Sequence, residues 1–270
     1  MQGVSRAALA ESRHALQAAL SSGADWAQLS EELFSVVGLL DGSATLRRAL
    51  SDPSREGQAK ADLARRLLMG KVSDAAVSLV ATAAAQRWSS DRDLTDAVEQ
   101  LAVEARLACA ESAGRSDAVE EDLFRFERMV AGNPALRDAL GDPALPAERK
   151  TAVVDRLLAG KVSDEVRALA TNAVAHPRGR SFAATMEHVL DIAAARRQQL
   201  TAVATVAVPL TPEQENRLRG ALASIYGKPV LLQSIVDSSV VGGIRVQVGD
   251  EVVDGTITRR LDEARRHLGA

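Results

Sequence analysis

Cysteine is almost missing: Cys109 stands alone in 270 residues. No internal disulfide can form, and a reducing compartment is the simpler reading. Aromatic side chains make up 3% of the chain, too few for a deep stacking pocket, while alanine and leucine abound and favour close helix packing. The four histidines, His14, His176, His188 and His267, are scattered, and none pairs at helical spacing with another ligand type in a metal pattern. No apolar run approaches the roughly 18–20 residues that cross a bilayer. Arg6, Glu11 and Arg13 break up the N-terminus, so it does not read as a secretory signal. The chain is expected to be soluble, with any membrane work done through a partner. A net charge of −3 gives the whole no nucleic-acid-binding character.

Signs of catalysis are missing too. Gly70-Lys71-Val72-Ser73 and Gly160-Lys161-Val162-Ser163 suggest a phosphate loop at first sight. That loop needs a glycine five residues ahead of the Gly-Lys and Ser or Thr directly after the lysine. Positions 65 and 155 are Arg and Asp, and valine follows each lysine. A helix stop followed by a helix start accounts for the residues better. Gly242, Gly243 and Gly249 flank a strand instead of opening a helix, which is wrong for a dinucleotide cradle. Cys109 sits in an alanine-rich helical run and reads as packing. No catalytic, cofactor or metal constellation remains, and the isolated chain is expected to be non-catalytic.

What is present is a repeat. Residues 46–53 (Leu-Arg-Arg-Ala-Leu-Ser-Asp-Pro) and 136–143 (Leu-Arg-Asp-Ala-Leu-Gly-Asp-Pro) agree at six of eight positions. Residues 66–74 and 156–164 agree at eight of nine, at the same offset of 90. Two windows so alike at one offset mark a duplicated helical unit. In the first copy, helices are expected over Val4–Leu20, from the cap Asp25 to Leu40, from Asp52-Pro53 to Met69, over Ala75–Trp88 and from Arg92 to Glu111. The second copy is expected to run from Ser116 to Ala131, to Leu140, from Pro146 to Ala159, from Asp164 to His176 and from Ser181 to Gln199. It has no evident partner for the opening helix, so either the helix ending near Glu111 fills that role or the second bundle is one helix short. The fold class is mainly α: two tandem bundles, residues 1–113 and 114–200, then a small α/β domain over 201–270.

From Thr201 the texture changes. Val203, Thr205, Val206 and Val208 form a β-branched run closed by Pro209. Thr211-Pro212-Glu213 opens a helix to Tyr226, and Val230–Val236 is a second strand. Ile244, Val246 and Val248 then alternate with Arg245 and Gln247, the period of a half-buried strand. Gly242-Gly243 admits the bend before that strand, Gly249-Asp250 signals a hairpin turn, and Val252-Val253 begins the return. Thr256 or Asp254 is placed to cap a last helix carrying Leu261 and Leu268.

This closing stretch resembles the C-terminal motif of the delta subunit of F-type ATP synthases, the family of the oligomycin-sensitivity-conferring protein. The matching residues are Asp237, Val240-Val241, Gly242-Gly243, Gly249-Asp250, Val252-Val253 and Asp254-Gly255-Thr256. Ser238 stands where proline is usual and Thr256 where serine is usual; both keep turn or capping chemistry. Six features in order make the match specific. An ordinary member has one helical bundle before this domain, so residues 1–113 look like an extra bundle.

The resemblance implies a stator role: a non-catalytic subunit that ties the catalytic head to the peripheral stalk, so that the head does not turn with the rotor. It implies as partners the N-terminal helices of the head's alpha subunits and the C-terminal end of the stalk b subunit, with no nucleic acid. It places the protein peripherally on the cytoplasmic face of the cell membrane. In the family a head helix enters a groove between the first and fifth helices of the bundle. Carried onto this chain, that groove is Leu9, Arg13 and Leu16 with Val77, Val80 and Ala84. The Arg-rich end, Arg259, Arg260 and Arg265, would meet the stalk subunit. In some relatives the stalk subunit is fused to delta; beginning at Met1 without a membrane helix, this chain is expected to carry no such fusion. The alternative is a tandem helical adaptor for other peptides or nucleic acid, whose binding to nucleic acid would be strongly salt-dependent.

Overall fold

The structure, a computed structural model, describes residues 3–197, 200–226, 229–237, 240, 242–248 and 251–254. The chain forms two compact units, Met1–Ala193 and Ala194–Ala270. Both copies of the repeat fall inside the first unit, and the boundary expected at 113–114 lies within it.

Among the described residues, eleven helices begin in that first unit: α1 (Gly3–Ser21), α2 (Trp26–Gly42), α3 (Ala44–Ser51), α4 (Gly57–Leu68), α5 (Asp74–Ala85), α6 (Asp91–Ser112), α7 (Ser116–Ala131), α8 (Pro134–Gly141), α9 (Ala147–Leu158), α10 (Asp164–Ala175) and α11 (Phe182–Arg197). Adding 90 to a residue number carries α2–α6 onto α7–α11. It also carries α1 onto α6. The 22-residue α6 therefore closes the first copy and opens the second, and the second bundle is not one helix short. Its burial agrees, since apolar residues are buried on every side of it, among them Ala97, Val98, Ala102, Val103, Leu107 and Ala110. A helix buried on every side is a core helix. One continuous core runs from Ala8 to Ala193.

Local chemistry explains most helix ends. The Asp25 carboxylate accepts from the Ala27 and Gln28 amides and starts α2. Gly70 and Gly160 take left-handed φ of 73° and 68° just past α4 and α9. Ser73 and Ser163 then cap α5 and α10 through the amides of Ala76 and Val166. The Gly-Lys-Val-Ser segments are thus helix-to-helix turns.

Asp52-Pro53 behaves differently from expectation, for α4 begins only at Gly57. Asp52 Oδ1 instead accepts from the Ser54 amide and hydroxyl, holding the chain in a turn. Asp142 does the same with the Ala144 amide in the second copy. The short α3 is an addition to the expected helices; its start is the Ser43 side chain, which accepts from the Leu46 amide. The fifth helix stops at Ala85, and Trp88 lies in the loop with its indole N–H on the Ala83 carbonyl.

In the second unit β1 (Leu200–Val206) and β2 (Val230–Val236) are parallel and joined by α12 (Pro212–Tyr226). β3 (Ile244–Val248) lies antiparallel on the other side of β1, and β4 (Glu251–Asp254) pairs with β3, giving the order β2-β1-β3-β4. A parallel pair needs such a crossover. Thr211 and Gln214 start α12 as a capping box, each side chain taking the other's amide. Ala202, Ala204, Val230, Leu232, Val246 and Val248 alternate inward and bury Leu222 of α12.

Candidate partner-binding surfaces

The six groove residues suggested by the resemblance do not form an open groove. Leu9, Leu16, Val77, Val80 and Ala84 are at most 8% exposed and belong to the core. They lie on the stripes by which α1 and α5 close the bundle, and helical periodicity alone puts them there. Of the six only Arg13 is partly accessible. It ion-pairs with Glu104 of α6 at 2.7 Å, so it too is engaged within the bundle.

In the C-terminal motif, Asp237 continues the sheet edge, its amide donating to the Val206 carbonyl at 2.9 Å and its carbonyl accepting from Val240. Gly242 and Gly243 have φ of 68° and 85°, a conformation L side chains rarely adopt, so glycine is required at this bend into β3. Asp254 ends β4 opposite Arg245. Gly249, Asp250, Gly255, Arg259, Arg260 and Arg265 lie outside the described residues.

The structure brings together a group the sequence did not single out, at the junction of the copies. Arg178, in the α10–α11 loop, reaches Glu99 Oε2 and Asp96 Oδ1 of α6 at 2.7 Å each. Its Nε lies 2.9 Å from Asp41 Oδ2 at the end of α2, as an ion pair without hydrogen-bond alignment. Arg180 also pairs with Glu99. Burial works against the Arg178 charge, but Glu99, Asp96 and Asp41 outweigh it and hold its pKa above the ordinary arginine value. Arg178 takes a left-handed φ of 53° to make these contacts. At the opposite end of α2, the buried Arg106 of α6 donates to the Ala27 carbonyl and to Glu31.

Two sizeable hollows occur among the described residues: one, about 430 Å³, lies between the start of α2 and α10 and is lined by Ala27, Glu31, Ala168 and Thr171, and the other, about 500 Å³, lies in the second copy between α7, α8 and α11. The origin of the larger is a difference between the copies. In the first, Arg47 spans the corresponding space, donating to the Leu40 carbonyl at 2.9 Å and to Asp91 at 3.4 Å. In the second, Ser181 replaces that aspartate, and Arg137 turns to its neighbour Asp138. No group of three His, Cys, Asp or Glu side chains placed to hold a metal ion occurs among the described residues, and none of their helices is long and apolar enough to cross a membrane.

Comparison with known proteins adds to this. The family profile for the ATP synthase delta (OSCP) subunit matches residues 103–268, the second copy and the α/β unit. Over nearly the whole length the chain is similar to proteins named ATP synthase subunit delta. The one from Kineococcus radiotolerans is 47% identical, covering 98% of this chain and 97% of that protein. The one from Streptomyces avermitilis is 46% identical over 99% and 98%. The extra bundle is therefore shared with these relatives. A chain of the Toxoplasma gondii mitochondrial ATP synthase hexamer aligns with 62% of this chain and 95% of its own length at 18% identity, but at a TM-score of 0.28 it carries no structural argument.

Proposed function

Because the chain belongs to the ATP synthase delta (OSCP) subunit family, we propose that it is a non-catalytic link in an F-type ATP synthase, tying the catalytic head to the peripheral stalk against rotor torque. The observation that carries this reading is the likeness to delta subunits over nearly the full length of both chains. Its partners are the N-terminal helices of the head's alpha subunits and the C-terminal end of the stalk b subunit. It sits on the cytoplasmic face of the cell membrane through those partners.

The physics of the first unit suits the task. A link that resists torque must not bend at an internal joint, and here the two copies share a helix, a core and the Arg178 ion pairs. Tagged full-length chain, used as bait in solubilised cell membranes, is expected to recover ATP hydrolysis activity together with the stalk subunit. Recovery of neither by a folded bait would end this reading.

A further inference from the structure

The packing around Phe34, Val103, Leu169 and Ala173 leaves a void of only about 10 Å³, near the least that one water needs. The hollow of about 500 Å³ between α7, α8 and α11 is of another kind, with the size of a ligand site. Its counterpart in the first copy shows what such a space holds. Arg47 of α3 lies across it, its side chain 13% exposed. The guanidinium donates to the Leu40 and Asp41 carbonyls at the end of α2, at 2.9 and 3.2 Å, and to the Asp91 carboxylate at the start of α6. Carbonyls at a helix C-terminus carry the negative end of the helix dipole, so a cation suits the place.

The second copy keeps the acceptors and withdraws the occupant. Val130 and Ala131 end α7 where Leu40 and Asp41 end α2, but with Ser181 in place of Asp91 the Arg137 side chain turns to Asp138 and is 54% exposed. Negative charge enters from other positions: Glu127 stands where the first copy has Val37, and Asp138 where it has Arg48. Asp142 also lines the hollow, so its wall carries three carboxylates and one guanidinium. The floor is apolar and fixed. Phe182 replaces Arg92, is buried, and stands edge-on to Phe126 with ring centroids 5.6 Å apart. A planar guanidinium is the cation that both stacks on a ring and forks to oxygen acceptors.

We propose that this hollow is a socket for an arginine side chain of a partner subunit, seated as Arg47 is seated in the first copy. The acceptors are the carbonyls of Val130 and Ala131 and the carboxylates of Glu127, Asp138 and Asp142. The Val130 carbonyl already accepts from the Asn133 amide, as that of Leu40 does from Ser43, and a carbonyl takes two donors. Phe182 and Val130 cover the apolar stem. That the arginine comes from another subunit rests on the proposed function; that the hollow takes a guanidinium does not. An arginine supplied from within closes the first copy on itself. The second copy offers the same bonds outward, where they add to the hold on a neighbour.

Butylguanidinium, an arginine side chain ending at its Cα, is the probe. Titrated into the isotope-labelled full-length chain and followed by NMR, it is expected to saturate in the millimolar range, shifting the amides of Val130, Ala131 and Ala183. N-butylurea, its neutral isostere, is expected to bind at least about tenfold more weakly. Ser181→Asp restores the missing carboxylate, and Asp can take over the cap that the Ser181 hydroxyl makes on the Ala184 amide, so α11 keeps its start. Arg137 should then swing in and abolish probe binding, while Ser181→Asp with Arg137→Ala should bind the probe more tightly than the native chain. Equal binding of butylurea, unchanged binding in Ser181→Asp, or no saturable binding would overturn the socket.

The partner is tested in the assembled synthase. Ala183→Cys in a Cys109→Ala background, labelled with benzophenone maleimide before assembly, is expected to cross-link to a segment of another subunit that carries an arginine. A cross-link only within this chain, or none, in a synthase that contains the labelled chain would overturn the partner and leave the proposed function standing. A chain that binds the probe but never assembles would overturn the proposed function and the partner with it, and uphold the socket.

Discussion

Phe34 and Phe124 hold the same position of the repeat, 90 residues apart, yet the first is buried between the copies and the second stands in solvent. The same truncation should therefore have very different costs at the two positions. Phe34→Ala removes a ring from a close-packed contact and should cost about 3–4 kcal/mol. Phe124→Ala should stay within about 0.5 kcal/mol, as an exposed change does. Urea denaturation of the two variants checks this, and equal losses would show that the copies do not pack through α2.

Arg178 is the cation among three carboxylates. Removing it leaves Glu99, only 9% exposed at its side chain, facing Asp41 and Asp96, with Arg180 as its remaining partner. Breaking a buried pair costs about 3–5 kcal/mol. Since Asp41 and Asp96 keep some solvent, Arg178→Ala should fall near the lower end, about 3 kcal/mol. Arg178→Gly should recover about 1 kcal/mol of that, because the left-handed backbone suits glycine. Comparing the two variants by chemical denaturation separates ion-pair loss from backbone strain.

Two glycines should respond unequally to alanine. A Cβ on Gly57 would lie 2.6 Å from the Ala85 carbonyl oxygen, a backbone atom that cannot turn aside, so α4 and α5 would have to part. Gly57→Ala should cost about 1–3 kcal/mol as an overpacked contact. The second copy already has Ala147 at this position. Gly70 has open space around it and costs only its left-handed φ, so Gly70→Ala should lose about 1 kcal/mol. An inverted order of the two midpoints would reject the close approach of α4 to α5.

The parts legible in the sequence were those whose cause is local. The cap Asp25, the stops at Gly70 and Gly160, and the alternation of Ile244, Val246 and Val248 each speak through neighbouring residues. Asp52-Pro53 misled because one aspartate can cap a helix or fold back on Ser54, and the chain chose the turn. The groove residues misled for another reason. Periodicity shows that Leu9, Leu16, Val80 and Ala84 share buried stripes, but not whether a partner or the bundle itself covers them. Arg178 was silent because its three carboxylates come from distant turns of α2 and α6, and a Pro-Arg-Gly-Arg segment reads as a loop.

Glu165 gives a pH-dependent check on the start of α10. It is 3% exposed, lies 2.5 Å from the Arg115 guanidinium, and accepts from the Cys109 thiol at 3.6 Å. Burial pushes its pKa up, but the Ser163 hydroxyl, its own helix-end amide and Arg115 together hold it below the usual glutamate value. A carboxyl with a depressed folded pKa stabilises the fold above its unfolded value, and this is lost as pH falls through the folded one. Glu165→Gln should therefore lower Tm at neutral pH, with the gap closing in acid once the native carboxyl is protonated too. The same carboxylate, after burial, pushes the Cys109 thiol up. In Glu165→Gln the thiol should ionise more readily, so alkylation of Cys109 at fixed pH should speed up in the folded protein. A constant Tm gap from acid to neutral pH, with unchanged alkylation, would mean that Glu165 is not charged at this site.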